Sequence, residues 1–144
     1  MSASSMVPTT GLLRSREPRA ALRLFLGLDA VVTGGNGLAY AVASGPLGRF
    51  LGLGPGLLLG LGLTLIAYAA GVGLIAARRQ PSVLPVRAVV EVNLAWAVLS
   101  LLALLLWFEP STVGAVWIVL QAATVAAFAA LQYTALKAML SSWS

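Results

Sequence analysis

Cysteine and histidine are both absent from the 144-residue sequence. Without cysteine the chain can form no disulfide, no thiolate metal site and no thiol nucleophile. Without histidine as well, the usual zinc sites and haem ligation through His or Cys lose their ligands. We therefore expect no cofactor and no metal, and membrane enzymes built on those metals are disfavoured.

Charged residues are also scarce: they make up 9% of the sequence, against roughly 25% in an ordinary soluble domain. Hydrophobic residues make up 60%, and the mean hydropathy is +0.96. This composition excludes a water-soluble domain. The net charge of +5 comes from basic residues that flank apolar segments, so it indicates membrane topology and contact with the lipid bilayer rather than with nucleic acid.

Four apolar segments are each long enough to cross a bilayer, which takes about 20 helical residues. We predict an all-α integral membrane four-helix bundle over residues 21–137. A flexible cytoplasmic tail over 1–20 precedes it, and a short cytoplasmic tail over 138–144 follows. The predicted spans run over about 24–43, 57–77, 88–108 and 113–136.

Basic residues lie almost entirely on one side of these spans. Lys and Arg concentrate on the cytoplasmic flanks of membrane helices, and only Arg49 falls on the other side. This distribution predicts that both termini are cytoplasmic and argues against dual topology. The residues that set the topology are Arg14, Arg16, Arg19, Arg23, Arg78, Arg79, Arg87 and Lys137.

A cleaved signal peptide is an alternative for the first span, because Ala41-Val42-Ala43 resembles a small-residue cleavage site. A signal core, however, has roughly 7 to 15 apolar residues, which is shorter than this run. The run also contains Asp29 and Asn36. We therefore predict an uncleaved first span.

Small residues recur every four positions along the second span. Membrane helices associate through close backbone approach and interhelical hydrogen bonds, so such a groove predicts a packing surface. We expect it to pack against the first and third spans; the alternative is the seam of a homodimer. The groove consists of Gly52, Gly56, Gly60 and Thr64.

Polar residues inside the spans are the strongest functional signal, because an acid in a membrane is costly unless it faces protein, water or a partner. Asp29 and Glu91 are predicted to lie at similar depth in the inner third of the membrane. Arg87 precedes Glu91 by four residues, so the two can form an ion pair along the helix. Trp96 lies too deep for an interfacial aromatic belt, and we expect it to pack inside the bundle.

Every span contributes a polar side chain that can face the interior. One hypothesis is a small polar cavity open toward the cytoplasm; the other is that these side chains hydrogen-bond to each other and hold the bundle in register. We favour the second, and a functional role for Asp29 alone, because Asp29 has no basic residue at i+3 or i+4. No catalytic residue is assigned. The predicted polar site consists of Asp29, Asn36, Tyr68, Glu91, Gln121 and Gln132.

The first predicted span contains the sequence LRLFLGL at 22–28, followed by Gly34, Gly35 and Leu38. This segment resembles the opening helix of the DoxX-like group of small four-span bacterial membrane proteins. Some members of that group are described as subunits associated with membrane redox enzymes. The resemblance therefore implies the four-span topology and an accessory role, and it implies no catalytic residue.

The small multidrug transporters also have four short spans and an acid in the first. This chain departs from them in its one-sided charge distribution, in the Gly- and Pro-rich link over 44–56, and in having Asp29 where a glutamate is expected. Transport therefore stays a lesser hypothesis.

Three functions remain open. We favour a non-enzymatic accessory or scaffold subunit of a membrane complex, whose partner is another membrane protein or a second copy, because catalytic motifs are absent and the loops are short. The second is a small-molecule or proton-coupled transporter that uses Asp29. The third is an enzyme acting on a lipid or quinone, with Asp29 or Glu91 as acid or base and Tyr68 as proton donor. Because arginine far outnumbers lysine and Ala, Leu and Gly are abundant, we expect a bacterial cytoplasmic membrane protein.

Overall fold

The computed structural model describes the backbone of residues 2–143 and the side chains of residues 18–141. This part of the chain contains five helices and no strand, which confirms the predicted all-α class. Four of the helices are long and apolar enough to cross a membrane, so the chain is a multi-pass helical membrane protein. The helices are α1 Ser2–Val42, α2 Ser44–Leu51, α3 Pro55–Ala77, α4 Val83–Leu106 and α5 Thr112–Trp143.

The spanning helices agree with the predicted spans to within several residues. The main difference lies at the chain ends, where α1 begins at Ser2 and α5 continues to Trp143, through the segments predicted as tails. Helix propagation adds one hydrogen bond for each residue fixed, so an established span readily extends at its ends. The flexibility of these segments stays a prediction, and the side chains of Arg14 and Arg16 lie outside the described residues.

The link between the first two spans is not simply a loop, because it contains the short helix α2. Helix α2 is capped by Gly52, whose φ of 71° is a left-handed conformation that favours glycine. Ser111 then joins this link to the start of α5: its backbone N–H donates to Leu51 O at 3.0 Å and its hydroxyl donates to Phe50 O at 2.8 Å. The first and third links therefore meet at the same end of the bundle.

Helix α1 packs against both α3 and α5, and α4 packs against α5. Direct contact between α3 and α4 is slight, so the α3–α4 seam is the least closed side of the bundle. Two apolar layers fill the interior. The inner layer, near the α3–α4 link, consists of Leu22, Leu26, Val72, Val86, Val89, Ala135, Leu136 and Met139. The outer layer, near the other two links, is built on Tyr40, Leu58 and Leu65.

Helices α1 and α3 approach each other closely at Gly37 and Gly62. A Cβ added at Gly62 would lie 2.7 Å from both Gly37 O and Ala41 N, so neither helix leaves room for a side chain there. By contrast, a Cβ added at Gly56 or Gly60 would meet no atom within 4 Å. The glycine of α3 that packs against α1 is therefore Gly62, which is not part of the predicted groove.

The predicted groove is thus wrong as a packing surface between spans of one chain, since Gly56, Gly60 and Thr64 are exposed and Gly52 caps α2. Its alternative role as the seam of a homodimer stays a prediction. The reason is helical geometry. Each residue turns a helix by about 100°, so a strict four-residue repeat drifts by about 40° at every step. The buried face instead alternates steps of four and three residues, through Leu58, Gly62, Leu65, Ala69 and Val72.

We predict that the end carrying the α3–α4 link is cytoplasmic. Because the chain has no cysteine, a single introduced cysteine is its only thiol. In cells treated with a membrane-impermeant maleimide, Glu109→Cys should be labelled while cells are intact, and Gln80→Cys only after permeabilisation. Both positions are exposed, so unequal labelling reports their side of the membrane. The reverse pattern would overturn the orientation.

We also predict that Gly62→Ala lowers the free energy of unfolding by roughly 1–3 kcal/mol, because the added methyl group overpacks the α1–α3 contact. The matched control is Gly60→Ala on the same helix, where the methyl group meets no neighbour. That change should leave stability unchanged or raise it by up to about 1 kcal/mol, the helix-propensity gain. Unfolding in mixed micelles, followed by circular dichroism, compares the two. Equal destabilisation would contradict the packing described here.

Candidate functional site

A buried polar cluster lies midway through the bundle, between the inner and outer apolar layers. At its centre is Asp29 of α1, which is 1% exposed. Asn93 of α4 and Gln132 of α5 lie beside it and are 3% and 0% exposed. Thr33 of α1 and Tyr68 of α3 complete the group, which we call the Asp29 cluster.

Three donors converge on the Asp29 carboxylate. The Thr33 hydroxyl donates to Oδ1 at 2.8 Å. The amide nitrogens of Asn93 and Gln132 both donate to Oδ2, each at 2.8 Å. Asn93 Nδ2 also donates to Gln132 Oε1 at 3.1 Å, which links the two amides directly.

Helix α3 joins the Asp29 cluster through Tyr68. The Tyr68 hydroxyl lies 3.1 Å from Asn93 Oδ1 and 3.3 Å from Val89 O, and it donates toward both. The Asp29 cluster therefore connects all four spanning helices. Among the described side chains no buried nitrogen or oxygen atom lacks a hydrogen-bond partner.

The chemistry available to such a cluster is limited by this saturation. All its donors are uncharged, and they stabilise the carboxylate by hydrogen bonding rather than by an ion pair. A nucleophile or acid needs a lone pair or proton directed at a substrate, whereas here each group is directed at its neighbour. Within the described residues there is also no grouping of acids that could hold a metal ion. The arrangement acts as a hydrogen-bonded lock between helices.

The structure brings together three of the six predicted site residues, namely Asp29, Tyr68 and Gln132. Gln121 lies nearer the outer end, where its Oε1 accepts a hydrogen bond from Trp96 Nε1 at 2.9 Å. Trp96 is thus partly buried among its neighbours, as expected from its depth.

Asn36 is also separate from the Asp29 cluster. It lines a cavity of about 140 Å³ between α1 and α5, together with Trp117, Gln121, Thr124 and Phe128. Its side chain is partly buried, and its amide makes no hydrogen bond within the described part of the chain.

Glu91 does not face the interior at all, so its inclusion in the predicted polar site is wrong. Its side chain is exposed on the outer surface of α4. Arg87, one turn earlier, is exposed as well, and the described side chains include no ion pair between them. Asn93 takes the interior position instead, because residues two apart on a helix point in nearly opposite directions.

The predicted polar cavity does not open toward the end of the bundle predicted to be cytoplasmic. The inner apolar layer lies between the Asp29 cluster and the end of the bundle predicted to be cytoplasmic. A separate cavity of about 100 Å³ opens sideways at the α3–α4 seam, where Tyr68, Asn93 and Trp96 are among its lining residues. Access from this side is through the hydrocarbon region, not from water.

A second polar layer lies closer to the outer end. Trp117 Nε1 donates to the Tyr40 hydroxyl at 2.6 Å, which joins α5 to α1. Trp96 and Gln121 join α4 to α5 at nearly the same level. Aromatic N–H and O–H groups that are removed from water need such partners.

We predict that the acceptor role of Asp29, rather than its charge, holds the bundle together. Asp29→Asn keeps an oxygen for the two amides, so it should cost about 1 kcal/mol or less of the free energy of unfolding. Asp29→Leu removes the acceptor of three hydrogen bonds, and only Asn93 Nδ2 keeps a second acceptor, Gln132 Oε1. The change should cost about 2 kcal/mol or more, since interhelical hydrogen bonds average about 0.6 kcal/mol and an unsatisfied buried donor adds to that. Unfolding in mixed micelles measures both.

Glu91→Leu is the matched control, because it also removes an acid from a span but breaks no described hydrogen bond. It should leave the stability of the isolated chain unchanged or increase it. If Asp29→Leu were as stable as Glu91→Leu, the lock would have no energetic role.

Known proteins add nothing to this geometry, since no family model, curated protein or solved structure matches the chain. The resemblance of the first span to the DoxX-like group therefore stays a prediction.

Proposed function

We propose that the chain is a non-enzymatic accessory or scaffold subunit of a membrane complex. The observation that carries the proposal is Glu91, whose side chain is exposed on the outer surface of a spanning helix. It lies eight residues, or about 12 Å, along α4 from Val83. A carboxylate at this depth faces hydrocarbon unless another protein covers it.

Burying an acid in lipid is costly, and acids within spans normally pair with a basic group or a hydrogen-bond donor. Glu91 has no such partner in the described part of the chain, while Arg87 beside it presents a positive charge on the same helix. A neighbouring spanning helix with a basic residue at the depth of Glu91 would satisfy the carboxylate. Leu94, Val98 and Leu102 continue an exposed apolar surface beyond it, which suits helix-to-helix contact.

The interior supports the same proposal. The Asp29 cluster uses its donors and acceptors on itself, and the apolar layers separate it from both ends of the bundle. A carrier needs a group that can exchange one partner for another during its cycle. An interior whose polar groups are already saturated is better suited to fixing helix positions.

Transport of a small molecule is a second candidate, and one observation favours it. The Asn36 amide is without a hydrogen bond among the described residues and lines the cavity between α1 and α5. In this alternative, Asp29→Asn abolishes uptake or efflux while the chain stays folded. An enzyme acting on a lipid or quinone has less support, since the Tyr68 hydroxyl is engaged with Asn93.

We place the complex in a bacterial cytoplasmic membrane, with both termini inside. The support is compositional: arginine greatly exceeds lysine and the basic residues lie on one side of the spans. The DoxX-like resemblance of the first span fits an accessory subunit, and it too is part of the proposal.

We predict that Glu91→Leu releases the partner subunit. Native mass spectrometry of protein extracted gently from its own membrane should find a stoichiometric second polypeptide with the wild-type chain, and at least tenfold less of it with Glu91→Leu. Glu109→Leu is the control, because Glu109 is an exposed acid in the α4–α5 link, outside the spans. Asp29→Asn should retain the partner.

A wild-type chain that is only monomeric would overturn the proposal. So would a partner held equally by the wild type and Glu91→Leu, since the exposed carboxylate would then not define the contact. A homodimer lost in Glu91→Leu would keep the scaffold role but make the partner a second copy.

A further inference from the structure

A cavity of about 480 Å³ lies at the end of the bundle where α1 enters the membrane and α3 leaves it. Arg19, Ala20 and Arg23 of α1 line it together with Arg79, which follows the end of α3. Three of these four described lining residues therefore carry a permanent positive charge. No carboxylate lines this cavity among the described side chains.

Arg23 is held in place by the neighbouring helix. Its Nε donates to Ala76 O at 2.9 Å, one of the last carbonyl groups of α3. Carbonyls in the last turn of a helix have no partner within the helix and carry partial negative charge, so a guanidinium is favourable there. The two terminal nitrogens of Arg23 make no hydrogen bond with the described side chains or backbone.

The depth of the cavity limits the kind of ligand. Arg19 and Arg23 precede the predicted first span, which begins at about residue 24, and Arg79 follows the end of α3, so the three guanidinium groups lie at the level of the lipid headgroups. Phosphate is the anion that is abundant at this level. Guanidinium groups bind phosphate oxygens through paired, directional N–H donors.

The helix surface beyond the cavity suits a hydrocarbon chain. Leu24 and Leu28 lie one and two turns beyond Ala20 on α1, so they lie on the helix surface that leads from the cavity into the membrane. Both leucines are exposed, at 58% and 46%. An anion with an attached acyl chain would contact the arginines with its headgroup and these leucines with its chain.

We propose that this cavity binds the phosphate group of an anionic glycerophospholipid, with Arg19, Arg23 and Arg79 as the binding residues. The site is distinct from the Asp29 cluster and from the surface around Glu91. It gives the arginines a specific ligand in addition to their effect on topology. The α1–α3 contact and the link after α3 would then be stabilised by bound lipid.

Native mass spectrometry in a mild detergent tests the site, with three probes added separately: dioleoylphosphatidylglycerol, dioleoylphosphatidylcholine and inorganic phosphate. We expect one phosphatidylglycerol to bind at least tenfold more tightly than phosphatidylcholine. Each arginine near a charged lipid contributes about fivefold in affinity, so Arg19→Gln with Arg79→Gln should weaken binding roughly 25-fold.

Arg49→Gln is the matched control, because Arg49 is an exposed arginine at the opposite end of the bundle. It should change the affinity less than twofold. Arg79 is exposed and makes no described hydrogen bond, so Arg79→Gln alone should preserve folding, as circular dichroism would verify, and still weaken binding about fivefold.

Equal affinity for the two lipids would overturn the proposal, as would equal losses in Arg79→Gln and Arg49→Gln. Inorganic phosphate separates the two sources of the same chemistry. If it fails to displace the bound phosphatidylglycerol at millimolar concentration, the lipid is the ligand. If it binds as tightly as the lipid and is lost in Arg79→Gln, the site recognises a soluble phosphate and the lipid assignment is wrong.

Discussion

The hydrogen bonds to the Asp29 carboxylate are the constraint on which the rest of the bundle depends. Lipid provides no hydrogen bonds, so a carboxylate inside the membrane must find its donors in the protein. Two of those donors come from α4 and α5, which fixes how each of these helices is rotated toward α1. Asn93 then accepts from Tyr68 across the loosely packed α3–α4 seam. One acid thereby orients all four spanning helices.

The apolar layers on either side make this constraint stronger. They exclude water from the Asp29 cluster, and in such a low-dielectric setting each hydrogen bond is stronger and each missing one costs more. Close packing of α1 and α3 at Gly37 and Gly62 leaves no room for a side chain between the two backbones. The polar groups of the interior therefore hold the helices together, and the groups that can bind another molecule lie on the outside of the bundle.

Helix number, approximate boundaries and class could be predicted from the sequence, because span length and hydropathy are set by bilayer thickness. The rotation of each helix about its own axis is harder to predict from the sequence. The predicted interior position of Trp96 also favours an interior position for Asn93, because residues three apart on a helix lie on nearly the same face. Glu91 lies on the other side. The repeat of Gly56 and Gly60 predicts the wrong packing face for a related reason, because residues spaced four apart drift around the helix and do not form a straight line along it. No local pattern could indicate that α2 forms or that Arg23 reaches the end of α3, since both depend on neighbouring segments.

The two acids of the spans meet the same energetic problem in opposite ways. Asp29 lies 1% exposed with three donors, whereas Glu91 is exposed with none in the described part of the chain. If the cost of a lipid-facing acid served no purpose, a leucine at this position would give a more stable bundle. Natural proteins tolerate such local costs at sites where another molecule binds. A requirement for a partner at Glu91 explains the acid on α4, while the saturation of Asp29 explains why the interior does not need one.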